Sequence, residues 1–109
     1  MTAQFPVRTI CGSLRYWETM LDVAQRQTGS GVIILMPFVA DYVGGKRPDA
    51  RKIMLDEMHR VKIDMSECII VVGLHIGQST ASEIMYAQET GKPVYYWDAR
   101  LGALSSSRN

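Results

Sequence analysis

The stretch IIVVGLHIGQSTASEIMYAQETGKPVYYW, Ile69 to Trp97, decides the fold of this chain. Its apolar, β-branched opening (Ile69, Ile70, Val71, Val72) reads as a strand that breaks at Gly73. A short loop containing Gly77 follows, and a helical pattern begins at Thr80. Gly91, with Pro93 two residues on, ends that helix, and VYYW forms the next strand. Strand, helix and strand of this length make a right-handed βαβ unit, with the first loop at the carboxyl edge of a parallel sheet. Open α/β sheets bind ligands at that edge.

The rest of the chain repeats the alternation. Val7 to Cys11 (VRTIC) reads as the first strand, stopped by Gly12 and Ser13, and a helix runs from about Glu18 to Gln27 on an apolar face of Met20, Leu21, Val23 and Ala24. Val32 to Met36 (VIILM), the most apolar run, reads as a central strand covered on both faces. Pro37 stops it, and PFVADYVGGKRPDA is a long loop at the ligand edge, of a length that usually carries function. From about Asp49 to Ser66 the recurrence of Ile53, Met54, Met58, Val61 and Met65 predicts a helix with that face in the core. Asp56, Glu57, Arg60 and Lys62 then form a solvated face. The order predicts one α/β domain over residues 1–109, a small parallel sheet of four to five strands with helices on both faces, Rossmann-like or flavodoxin-like. With only four strands evident, either the tail or a second copy of the chain covers an edge.

Composition narrows the function. With 12 Lys and Arg against 11 Asp and Glu, nothing in the bulk charge calls for a nucleic-acid or membrane partner. Cys11 and Cys68 lie in or beside apolar runs without CxxC spacing, so buried thiols are expected rather than a disulfide or a zinc site. No signal-peptide core or membrane-spanning run is evident, so a cytoplasmic location is expected, and no cofactor is implied. The terminal SSSRN reads as a frayed or partner-dependent tail.

Glu83 carries the functional question, with two readings. Three residues after Thr80, it completes a T-x-x-E capping box, a full account that requires no catalysis. Alternatively, a carboxylate early in a helix at the ligand edge, beside the hydroxyls of Ser79, Thr80 and Ser82, is placed to attack an electrophilic carbon.

Two separated segments bear on the choice. ICGSLR, Ile10 to Arg15, resembles the opening segment of the 2'-deoxynucleoside 5'-phosphate N-hydrolases. G-x-S-T-x-x-E-I-x-Y-A, Gly77 to Ala87, followed by GKPV, is similar to the nucleophile segment that those hydrolases share with the nucleoside 2-deoxyribosyltransferases. The resemblance implies that Glu83 attacks the anomeric carbon of a (deoxy)ribosyl group, expels the base and forms a glycosyl-enzyme ester, which water or a second base resolves. It implies that Gly12 and Ser13 approach the substrate and that Arg15 grips a 5'-phosphate. Ser79, with Gln78 and Thr80 beside it, matches the region of a phosphate-binding hydroxyl, and free amides at a helix start suit an anion. The loop with His75 and Gly77 borders base or phosphate, Tyr16, Trp17 and Tyr42 are candidates to stack on the base, and Ser105 to Ser107 resemble a segment that reaches a partner's phosphate site in a homodimer. One departure stands out: where the family has an aspartate this chain has His59, a group that protonates a leaving base near neutral pH if its pKa is ordinary. The implied ligand is a nucleoside or nucleoside monophosphate. The competing class is a nucleotide-binding module without turnover, in which Glu83 only caps its helix.

Overall fold

The computed structural model describes residues 4–37 and 49–106, with residues 49–51 described as main chain only. Strand β1 (Val7–Cys11) leads through a 3-10 turn (Leu14–Tyr16) into helix α1 (Trp17–Gly29), followed by β2 (Ile33–Leu35), α2 (Asp49–Asp64), β3 (Cys68–Val71), α3 (Gln78–Glu89), β4 (Val94–Asp98) and β5 (Ala103–Ser105). The sheet order is β2-β1-β3-β4-β5. The first four strands are parallel, and β5 returns antiparallel to β4, so the tail supplies the fifth strand. This is the expected α/β architecture, with the order of a small flavodoxin-like sheet.

Alternation along β1 and β3 sorts the core into two layers. Ile10, Ile70 and Val72 pack with Met20 and Val23 of α1 on one face, and Cys11, Ile69 and Val71 pack with Ile63 of α2 and Ala87 of α3 on the other. The middle strand is β3, buried at all four positions. Lys92, in the GKP turn, ties that turn to the end of α2: its ammonium donates to the Ser66 carbonyl at 2.7 Å and the Asp64 carbonyl at 3.2 Å, closing the helix with a cation.

Two expectations fail here. The VIILM run does not form the central strand. Among the described residues β2 pairs only with β1, it spans three residues, and Ile33 is 47% exposed. A β-branched run favours extended backbone but does not fix a place in the sheet; the crossovers do, and they put β1 and β3 in the middle. The second failure concerns α2, whose stripe of Ile53, Met54, Met58, Val61 and Met65 is exposed along its length. The face turned inward carries His59, Ile63 and, just past the helix, Ser66. It wins because Thr9, the buried polar residue in the middle of β1, requires partners: its hydroxyl lies 2.7 Å from the Ser66 hydroxyl and donates to the Lys62 carbonyl at 3.0 Å.

Two glycines shape the ligand edge. Gly12 has φ +156°, and a Cβ there would fall 2.4 Å from the Val72 carbonyl oxygen, so the first loop crosses β3 at a distance only glycine permits. Gly73, with φ +103°, lies flush beneath the Tyr16 ring, which a Cβ would meet at 2.2 Å.

Candidate active site

The strand order reverses direction between β1 and β3, and in doubly wound sheets the crevice beyond the carboxyl ends at such a point receives ligands. Three titratable side chains converge there from three elements. Cys11 is the last residue of β1, His59 lies on the inward face of α2, and Glu83 lies on α3. His59 Nε2 is 3.5 Å from Cys11 Sγ and 3.9 Å from Glu83 Oε1.

The capping-box reading of Glu83 is overturned. Helix α3 starts at Gln78 on an extended Gly77 N-cap that makes no side-chain bond, and the Ala81 amide donates to the Gly77 carbonyl at 2.9 Å as the first helical bond. Thr80 is therefore a buried residue inside the helix, and Glu83 lies beyond its first turn. Glycine serves as N-cap without a side-chain acceptor, and the sheet-facing position of Thr80 takes its hydroxyl away from the helix start.

Burial dominates the electrostatics. It pushes the Glu83 carboxyl up from 4.5 to about 7, with Asp56 adding in the same direction, while a hydrogen bond with Cys11 and the charges of Arg60 and Lys52 oppose the rise. Burial and then Lys62 lower the His59 imidazole from 6.5 to about 4, against a hydrogen bond to the Ile10 main chain. Burial raises the Cys11 thiol well above its usual range, and the Glu83 charge and hydrogen bond add to the rise. At neutral pH the cluster is thus a thiol, a neutral imidazole and a half-ionised carboxyl. The expectation that His59 protonates a leaving base loses its basis, because burial removes the proton it would give.

Glu83 also borders a solvent-open cavity of about 260 Å³ with Gln78, Ser79 and Ser82 of α3 and Lys52, Asp56 and Arg60 of α2. The Lys52 ammonium and Asp56 carboxylate pair at 2.9 Å on its rim. Of the sequence candidates, Ser79 lies with Glu83 in this cavity, and His59 joins Glu83 from beneath. Gln78 and Ser82 line it as well, and the remaining candidates do not. Ser13 accepts the Arg15 amide at 3.4 Å as cap of the 3-10 turn, Arg15 is exposed, His75 is exposed on its loop, and Gly12 and Gly77 serve the backbone. Tyr16 holds the loop after β3, its hydroxyl accepting the His75 amide at 3.0 Å, and it borders a second cavity of about 420 Å³ with Tyr96, Trp97 and Ser105. Trp17 packs against the α1 layer of the core. Tyr42 and Ser107 lie outside the described residues.

The sequence reading puts Asp56 and Arg60 on a solvated face and gives Lys52 no role, yet all three line this cavity. Their spacing of four residues was the available signal, because it puts all three on one helical face. The sequence reading also misses Cys11 as a neighbour of Glu83, for which no local pattern exists. Among the described residues no helix is long and apolar enough to cross a membrane. Comparison of the chain with models of known protein families and with curated proteins finds no match.

Proposed function

We propose that this protein cleaves the N-glycosidic bond of a nucleoside or nucleoside 5'-monophosphate, with Glu83 as nucleophile. The observation that carries the reading is that the Glu83 carboxyl is not spent on its own helix. It is buried beside His59 and Cys11, 16% exposed, and that exposure opens on a cavity walled by Ser79, Ser82 and Arg60. The ionised carboxylate attacks the anomeric carbon, the bond to the base breaks with its electron pair on the base nitrogen, and a glycosyl ester forms. Water or another base then attacks the same carbon and releases Glu83. The departing base takes its proton from solvent, since His59 is neutral. A 5'-phosphate is held by the amides and hydroxyls at the start of α3, with Arg60 and Lys52 as counter-charges, a role that the resemblance assigns to Arg15.

The active unit we propose is a cytoplasmic homodimer. The exposed α2 stripe supports the dimer, because an apolar row of this length on one helix suits a second copy better than water. The two free, buried cysteines suit a reducing compartment.

The test is base release from a panel of ribo- and deoxyribonucleosides and their monophosphates. Wild type releases base from at least one member, Glu83→Gln releases none while still binding it, and mass spectrometry of quenched wild type finds a pentosyl adduct on the peptide containing Glu83. If wild type releases no base from any member but is thermally stabilised by one, the protein is a nucleotide-binding module and the catalytic reading is wrong.

A further inference from the structure

We infer that Cys11, His59 and Glu83 form a binding site for a single divalent cation of the zinc type. Each residue offers one ligand atom, and these atoms, a thiol sulfur, an imidazole nitrogen and a carboxylate oxygen, all lie within 4.8 Å of one another. Around a tetrahedral ion with bonds of about 2.0–2.3 Å, donor atoms stand roughly 3.3–3.7 Å apart. Cys11 Sγ and His59 Nε2 are already there at 3.5 Å, and the 3.9 Å from His59 Nε2 to Glu83 Oε1 closes with a small rotation of the glutamate.

The surroundings suit this use. Cys11 and His59 are fixed by burial, one at the end of β1 and the other on the inward face of α2, so two of the three donors need no ordering. The Ile10 main chain hydrogen-bonds the His59 ring, an arrangement that commonly orients metal-bound histidines. Thiolate and carboxylate together neutralise a divalent ion, so the buried complex carries no net charge although Lys52 and Arg60 stand on the rim. Three protein donors leave a fourth position, and the ion enters from the cavity that Glu83 borders. Sulfur and nitrogen donors select zinc, cobalt or cadmium over magnesium and calcium. Binding displaces the Cys11 thiol proton and any proton on Glu83.

The consequence for turnover rests on the glycosidase reading. An ion on the Glu83 carboxylate removes the nucleophile's free electron pair, so zinc inhibits and a chelator restores.

The binding test uses the full chain, stripped with a chelator and titrated with cobalt(II), without measuring turnover. A thiolate-to-cobalt charge-transfer band saturates at one equivalent. It persists in Cys68→Ser, disappears in Cys11→Ser and needs roughly tenfold or more metal in His59→Gln, with folding checked by circular dichroism. Absence of the band in wild type, or its persistence in Cys11→Ser, overturns the site. If Cys11→Ser does not fold, Glu83→Gln decides: weaker cobalt binding upholds the three-donor site and unchanged affinity overturns it. A protein that binds cobalt but releases no base refutes the glycosidase alone, and base release without cobalt binding refutes the metal site alone.

Discussion

Replacing Glu83 by Gln should stabilise the protein, and by an amount that grows with pH. In the folded chain the carboxyl titrates at about 7 rather than 4.5, so between these values the native state holds a proton that the unfolded chain has lost. Wild-type stability therefore falls as pH rises through that window. The displacement corresponds to about 3 kcal/mol, all of it absent below the unfolded value and fully developed above the folded one. Glutamine keeps the shape without the charge, so wild type and variant match at pH about 4, and at pH about 8 the variant leads by about 3 kcal/mol, roughly 10 °C in Tm for a domain of this size. His59 contributes the opposite slope. Its pKa, lowered from 6.5 to about 4, adds stability as pH rises between these values, and Glu83 is not among the causes of that lowering. The two slopes nearly cancel in wild type between pH about 4.5 and 6.5, whereas the variant keeps only the rising limb. The assay is urea unfolding of chelator-treated protein at a series of pH values. A variant-minus-wild-type difference that is flat with pH, or that shrinks as pH rises, refutes the buried, charge-averse placement of Glu83.

Gly73→Ala should cost about 2–4 kcal/mol, because the new Cβ meets the Tyr16 ring at 2.2 Å in a left-handed backbone conformation, and thermal melts read the loss. A melt within a degree or two of wild type would mean that Tyr16 does not lie over this glycine. Val61→Glu, on the exposed stripe of α2, should leave monomer stability within about 0.5 kcal/mol but shift the dimer to monomer in sedimentation velocity. If wild type is itself monomeric at high concentration, the stripe is not a self-interface.

The parts of the fold legible in the sequence were those with local causes. β1 ends where Gly12 breaks it, and α3 ends at the glycine and proline of TGKP, because glycine and proline act on the backbone they occupy. The illegible parts depend on partners far along the chain. VIILM reads as central from its hydropathy, yet its place follows from the direction of two crossovers. The apolar side of α2 reads as core, yet hydropathy records what avoids water and not which surface covers it, and the hydroxyls of Thr9 in mid-β1 and Ser66 just past α2 hold the helix. The same distance problem hid the site, since Cys11 and His59 are separated by 48 residues and meet only because β1 and α2 are stacked. Cys11 is not legible, whereas His59 is through the resemblance, and Glu83 and Ser79 are through the pattern around them.

Even there, the start of α3 at Gly77 rather than Thr80 changes what the carboxylate is for. Residues three, four and seven apart share a helical face, so the burial of Thr80 and Ala87 against the sheet commits the face that Glu83 shares to point inward. A glutamate at N3 of a capping box reaches back to solvated main chain at little cost. Here the same residue is taken below the helix start, where charging it works against folding by about 3 kcal/mol. A leucine or glutamine on that face would fold better. An ionisable group held against such a cost at the reversal point of the sheet is the ordinary signature of a reacting group, and structural carboxylates are instead stabilised by their setting. The sign of the pH effect at Glu83 therefore bears on function as well as on stability: a helix cap would have its pKa lowered, and its loss would hurt most at neutral pH.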